Sequence, residues 1–82
     1  MKVYLVYDIF YDNEEFTTYD YLQEIHSSKS AAQEACERLA NQLLLDDDTT
    51  THRGIDEDGN IVVYKSNDDE DHFVIEEWTV TT

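Results

Sequence analysis

The sequence predicts an α+β fold in which one helix packs on a four- or five-stranded antiparallel sheet, in the order β-β-α-(β)-β-β. Two observations carry this prediction. A single stretch shows the spacing of an amphipathic helix, and most of the remaining chain alternates apolar and polar residues as strands do. A chain of 82 residues makes one domain, 1–82, with a small core.

The first half of the predicted sheet is a hairpin. Residues 2–11 place β-branched and aromatic side chains on both faces, which suits a central strand. Residues 12–15 are a turn by composition. Residues 16–25 are then a second strand, with Tyr19, Tyr21 and Ile25 on one side.

The predicted helix covers residues 27–45. Ser27 or Ser28 can cap its first turn by accepting a hydrogen bond from a free backbone amide, and the aspartate run 46–48 favours its end. The residues that recur on its apolar face are Ala32, Ala35, Cys36, Leu39 and Leu43. This face must cover the sheet, because no second helix is predicted.

The second half of the sheet is less regular. Asp58-Gly59 predicts a two-residue hairpin turn, because both central positions of that turn need positive φ. A weak strand at 50–57 is expected before it, although the sequence leaves open whether this strand forms. Residues 60–66 and 72–80 are the last two strands, joined by a turn at 67–71.

Three stretches of the chain resemble a set of short, acidic bacteriophage-type proteins of mostly unknown function, similar to those of the anti-CRISPR and anti-restriction kind. They are Lys-Val-Tyr-Leu-Val-Tyr-Asp at 2–8, Ser-Ser-Lys-Ser-Ala-Ala at 27–32 and Phe-Val-Ile-Glu-Glu-Trp at 73–78. The resemblance implies a phage-like origin and an α+β fold. It implies nothing about chemistry.

Charge is the main functional signal of the sequence. The formal net charge is −15, from 20 acidic against 5 basic residues. Direct binding to nucleic acid or to an anionic membrane is disfavoured, because phosphate contacts would be repulsive. The expected partners are therefore cations or basic protein surfaces.

The sequence also predicts a cytoplasmic protein, in the host cell if the chain is phage-encoded. The single Cys36 cannot form an internal disulfide, and the first residues read as a strand rather than a signal peptide. No apolar run approaches the roughly 20 residues needed to span a bilayer.

The predicted topology brings three acidic segments to one end of the sheet. These segments are the first turn, the residues that follow the helix and the last turn. Together they contain ten acidic residues and no Lys or Arg. We call this set the acidic pole; its residues are Asp12, Glu14, Glu15, Asp46, Asp47, Asp48, Asp68, Asp69, Glu70 and Asp71.

Two interpretations of the acidic pole remain open. Acidic turns can simply reflect solubility or adaptation to salt. Alternatively, the pole presents a phosphate-like array to the basic groove of a host defence nuclease or another nucleic-acid-binding protein, and so acts as a nucleic-acid-mimicking inhibitor. The second interpretation is our preferred hypothesis, and it requires no catalysis and no cofactor.

A second interaction surface is predicted on the sheet face that the helix leaves uncovered. Tyr4, Val6, Phe10 and Trp78 are its expected residues. They are either ordinary exposed aromatic surface or a protein interface. The alternative function is thus a self-associating structural or regulatory domain, such as a homodimer.

The sequence lacks the usual motifs for metal binding and catalysis. Placing Gly59 at the sixth position of a calcium loop puts Gly54 and Lys65 where acids are required. The histidines have no metal-ligand spacing with Cys36, and neighbouring Glu76 and Glu77 point to opposite faces of a strand. We expect no enzyme activity, while nonspecific divalent-cation binding at the acidic pole remains an alternative.

Overall fold

A computed structural model describes residues 1–81 and shows one α-helix packed on a five-stranded antiparallel sheet. The predicted fold class is confirmed, and the uncertain strand is present. The elements are β1 Lys2–Asp12, β2 Thr17–His26, α1 Lys29–Asp46, β3 Thr50–Ile55, β4 Ile61–Lys65 and β5 Glu70–Thr79. No helix among residues 1–81 is long and apolar enough to cross a membrane.

The strand order across the sheet is β2-β1-β5-β4-β3. β1 lies between β2 and β5, so the prediction that it is an inner strand is confirmed. β5 begins at Glu70, two residues earlier than predicted, because Glu70 and Asp71 pair with Tyr11 and Phe10 of β1. The last turn is correspondingly shorter than predicted.

The helix begins after Ser28, whose Oγ accepts a hydrogen bond from the backbone N of Ala31 at 3.2 Å. It ends where the N–H of Asp47 donates to the carbonyl of Leu43 at 3.0 Å. Its buried residues are small: Ala32, Ala35, Cys36 and Ala40. They pack on Val6 of β1, Ile61 and Val63 of β4, and Phe73 of β5.

The helix covers the opposite face of β1 from the one we predicted. Val6 is fully buried in the core and Tyr4 packs against it. Alternation then puts Phe10 on the same side. Trp78 pairs with Val3 and therefore lies on the open face. That open face consists of Val3, Leu5, Tyr7 and Ile9 of β1 with Leu22, Ile25, Val74 and Trp78.

A β-bulge in β2 changes the side on which Ile25 lies. Val6 pairs with Glu24, but the next residue, Tyr7, pairs with Leu22, so Gln23 is an extra residue in β2. Tyr19 and Tyr21 therefore both lie on the helix side of the sheet, as predicted for these two residues. Ile25 lies on the open face. The prediction that all three share one face was wrong at Ile25.

The turn between β3 and β4 is longer than the predicted two-residue hairpin. The N–H of Asp56 donates to the carbonyl of Asn60 at 2.9 Å, and the N–H of Gly59 donates to the carbonyl of Asp56 at 3.1 Å. Only Gly59 has positive φ, at 86°. The Asp56 carboxylate fixes this loop by accepting from the backbone N of Asp58 and of Asn60.

Candidate functional site

The three acidic segments lie together at one end of the sheet. The backbone N of Asn13, in the first turn, donates to Oδ1 of Asp69, in the last turn, at 2.9 Å. The N–H of Ser66 donates to the carbonyl of Thr49 at 2.8 Å, which ties the segment after the helix to the last turn. The three acidic segments are thus held together at this end of the sheet.

Several carboxylates of the acidic pole hold its own loops. Oδ1 of Asp12 accepts from the backbone N of Glu14 at 2.9 Å and of Glu15 at 3.2 Å. Oδ1 of Asp47 accepts from the backbone N of Thr49 at 2.9 Å and from its hydroxyl at 2.6 Å. These bonds lower the pKa of Asp47, the hydroxyl bond contributing most. Such acids position the backbone and are less free to meet a partner.

The acidic pole also contains a cation that the sequence did not place there. Lys65, at the end of β4, has its Nζ 3.2 Å from Oδ2 of Asp71 and 3.4 Å from Oδ2 of Asp47. Asp71 is only 4% exposed, so it cannot contact a partner. The expectation that Asp71 belongs to the binding surface was wrong, because the strand pairing turns it under the helix side of the sheet.

Asp8 joins this buried group from β1. Burial raises its pKa from 3.8 to about 8, helped by a hydrogen bond with Asp71 and by the charge of Asp71, while Lys65 opposes the shift. Its Oδ1 is buried without a hydrogen-bond partner. Burial and the neighbouring Asp71 thus both favour the protonated form of Asp8.

The acids that face solvent at the pole are a subset of the predicted ten. The exposed ones are Glu14, Glu15, Asp46, Asp48 and Asp68. Asp68 has φ 68°, a left-handed conformation that usually favours glycine, at the tip of the last turn. Asp12, Asp47, Asp69 and Glu70 are half-buried.

Aromatic side chains border the exposed acids, and sequence reasoning assigned no role to most of them. Phe16, in the first turn, is 77% exposed and has φ 55°. The rings of Phe10, Tyr19 and Tyr21 stack in a row with successive centroids 6.5 Å apart. The hydroxyl of Tyr19 donates to Oε2 of Glu15 at 3.0 Å. An apolar residue directly after two glutamates was the sequence signal for Phe16.

The open face carries a second charged group, centred on His72. Its Nδ1 lies 2.9 Å from Oδ2 of Asp56 and its Nε2 lies 2.8 Å from Oε1 of Glu70. Burial alone would lower the pKa of His72, but the two carboxylates outweigh it and raise the pKa. With both ring nitrogens bonded to carboxylates, His72 ties the loop after β3 to β5 and leaves no ring nitrogen free.

Most cations of the described residues are already paired with acids. In addition to the two ion pairs of Lys65, the Nζ of Lys2 lies 3.4 Å from Oε1 of Glu77. Arg38 lies 2.7 Å from Glu24, and Arg53 lies 2.8 Å from Glu37. Four of the five basic side chains thus face acids within the chain. Because the net charge is −15, the field outside the protein is negative.

Of the three predicted interface aromatics, only Trp78 is on the open face. Tyr4 packs partly against the core, and Phe10 is in the aromatic row beside the acidic pole. Trp78 is 52% exposed, and its Nε1 donates to Oε1 of Glu76 at 2.7 Å. The three side chains therefore do not form one surface.

Among residues 1–81, no three His, Cys, Asp or Glu side chains are arranged to hold a metal ion. Comparison with protein-family models, with curated proteins and with solved structures found no significant match to this chain.

Proposed function

We propose that this chain is a small acidic inhibitor that occupies the basic surface of a nucleic-acid-binding protein and competes there with the nucleic acid. The observation that carries the proposal is the meeting of three separate acidic segments at one end of the sheet. The order of the elements brings the three turns together, but it does not require the exposed positions of those turns to be acidic, and the mutual repulsion of these acids opposes it.

The charge balance supports a cationic partner. Four of the five basic residues are neutralised within the chain, and Lys65 has a side chain only 15% exposed. Five acids of the pole remain exposed. Such a surface accelerates encounter with a basic groove and repels nucleic acid itself.

The geometry of the loops supports binding without a large ordering cost. The carboxylates of Asp12, Asp47 and Asp69 hold the backbone on which the exposed acids stand. A surface that is already fixed loses less conformational entropy on association than a flexible tail would.

The test is affinity capture from a bacterial lysate at low and high salt, with and without competing nucleic acid. The pole variant combines Glu14→Gln, Glu15→Gln, Asp48→Asn and Asp68→Asn. It leaves the loop-holding acids intact. The control variant removes the same charge elsewhere, through Glu34→Gln, Glu57→Gln, Asp58→Asn and Glu77→Gln.

We expect a basic nucleic-acid-binding protein to be captured at low salt and released by salt or by nucleic acid. Capture should weaken in the pole variant and persist in the control variant. Equal loss in both variants would mean that only total charge matters, and full capture by the pole variant would refute the proposal.

The resemblance to short bacteriophage proteins favours a bacterial target. A host defence nuclease, inhibited in the manner of anti-CRISPR or anti-restriction proteins, is the corresponding partner. The decisive assay is cleavage of a labelled DNA by such a nuclease with increasing amounts of the chain. Inhibition should be overcome by added substrate, because the chain and the DNA compete for one groove.

A second candidate function is self-association through the open face. The observation that favours it is the continuous apolar surface of Leu5, Tyr7 and Ile9 beside exposed Leu22 and Trp78. Sedimentation velocity over a range of concentrations tests it. An apparent mass that rises with concentration for the wild type, and stays at the monomer value for Leu22→Lys, would support this function.

A further inference from the structure

The edge of the sheet next to the acidic pole carries a row of aromatic rings, of which Tyr19 and Tyr21 are exposed and Phe10 is half-buried. Phe10 stacks on Tyr19 with an interplanar angle of 24°, and Tyr19 stacks on Tyr21 with an angle of 27°. Lys65 Nζ lies 5.0 Å from the centroid of the Phe10 ring and closes the inner end of the row. Tyr19 and Tyr21 belong to the edge strand β2, so the outer end is open to solvent.

Phe16 lies in the first turn, directly before the strand β2 that carries Tyr19 and Tyr21. A bulky residue with positive φ is rare, because its Cβ crowds the backbone, and the turn would be relaxed by Gly or Asn. Its side chain is nevertheless 77% exposed, so no burial inside the chain offsets the strain. Phe16 is therefore poorly explained by folding alone and well placed for contact with another molecule.

Carboxylates flank the rings on the same turn. The hydroxyl of Tyr19 donates to the Glu15 carboxylate at 3.0 Å, and the preceding residue, Glu14, is also exposed. Rings and carboxylates thus occur together in the first turn and the first half of β2. We call this surface the aromatic-acidic strip; it comprises Phe10, Glu14, Glu15, Phe16, Tyr19 and Tyr21.

Duplex and single-stranded nucleic acids differ in what they offer a protein. A duplex presents phosphates and base edges, because its base faces are stacked on one another. A single strand presents phosphates together with free base faces, and proteins that bind it combine a cationic groove with aromatic side chains on which bases stack. Exposed rings among carboxylates match the second kind of groove.

We propose that the aromatic-acidic strip docks in a cationic groove lined with aromatic side chains, of the kind that binds single-stranded nucleic acid. The rings take the place of bases and the carboxylates take the place of phosphates. This inference rests on the proposed function, and it narrows the partner from any basic surface to one class of groove.

The test uses two synthetic peptides that reproduce the chemistry of such a groove. One is a nine-residue peptide of alternating lysine and tryptophan, and the other replaces each tryptophan with alanine. Binding to the full chain is measured by calorimetry at low and moderate salt. We expect the tryptophan peptide to bind about tenfold more tightly, because only it can stack on the strip.

Three variants localise that preference. Phe16→Ser and Tyr21→Ser remove rings of the strip, while Trp78→Ser removes an exposed ring of the open face as the matched control. Circular dichroism confirms that each variant is folded. The preference should fall by several fold in the first two variants and persist in Trp78→Ser.

The outcomes separate this inference from the proposed function. Equal binding of both peptides overturns the inference and leaves a purely electrostatic partner in place. A preference that is lost only in Trp78→Ser also overturns it, and assigns the contact to the open face. Failure of both peptides to bind at low salt counts against the inference and the proposed function together.

Discussion

Asp8 is the residue whose chemistry departs furthest from that of a free side chain. Its pKa of about 8 reflects burial first and the neighbouring Asp71 second. Because this value lies above the 3.8 of the free group, the folded protein binds a proton that the unfolded chain releases. Stability from this group is fully present below pH 3.8 and is lost as pH rises towards about 8.

We predict that Asp8→Asn flattens this decline. The amide imitates the protonated carboxyl and cannot ionise, so the variant should be more stable than the wild type at pH 9 by about 1–2 kcal/mol. This figure is reduced from the full effect of the pKa shift because Asp8 is partly exposed. Urea unfolding followed by circular dichroism from pH 4 to pH 9 measures the difference.

The control for this prediction is Asp20→Asn, which makes the same chemical change at an exposed position of β2. The difference in unfolding free energy between Asp20→Asn and the wild type should vary little with pH. A free-energy difference for Asp8→Asn that is constant across the range would contradict the assigned protonation of Asp8.

His72 shows the opposite kind of coupling, between a cation and two carboxylates. Its folded pKa is raised above 6.5 by Asp56 and Glu70 despite burial, so its contribution is fully present below pH 6.5 and is lost as pH rises through the folded pKa. NMR titration of the ring should give a midpoint above 6.5. In Glu70→Gln the midpoint should fall, and an unchanged midpoint would show that Glu70 is not the partner.

At the scale of elements, two hairpin turns can be compared directly. Each closes with the same pair of backbone hydrogen bonds, at 56–60 and at 65–69. The left-handed position is Gly59 in one turn and Asp68 in the other. The second turn thus places an acid where glycine would be relaxed.

We predict that Asp68→Gly stabilises the protein by about 0.5–1 kcal/mol, because glycine adopts positive φ without strain. Gly59→Ala should destabilise it by a similar amount; a Cβ at Gly59 meets nothing within 4 Å, so the cost is conformational. Thermal unfolding measures both. If Asp68→Gly also weakens capture of the partner, the acid is retained for binding at the expense of stability.

Much of this architecture could be predicted from the sequence. The helix of residues 27–45 and the strands have clear periods, and the three acidic turns follow from the order of those elements. The position of the acidic pole needed no side-chain detail, only the direction in which each element runs.

Which face of β1 the helix covers could not be predicted, because both faces carry apolar residues. Val6 and Leu5 are equally suited to a core, and only pairing with β5 selects Val6. The bulge at Gln23 and the burial of Asp71 likewise depend on contacts between distant strands. Alternation within one strand contains no information on these contacts.

At the scale of the whole molecule, the net charge of −15 opposes folding. The surface ion pairs, such as Lys2 with Glu77, contribute little in return. We predict that raising NaCl from about 0.02 M to about 0.5 M increases the urea midpoint, because screening weakens repulsion between exposed acids. The urea midpoint of the pole variant should rise less with salt than that of the wild type. A midpoint that falls with salt would mean that attractive pairs dominate.

The buried side of the helix, which is rich in alanine, also carries a natural probe for the opening of the core. Cys36 is the only cysteine, and burial raises the pKa of its thiol, which disfavours the reactive thiolate in the folded protein. Reaction must await separation of the helix from the sheet. The rate at which a thiol reagent consumes the native chain therefore reports how often that separation occurs, without any introduced label.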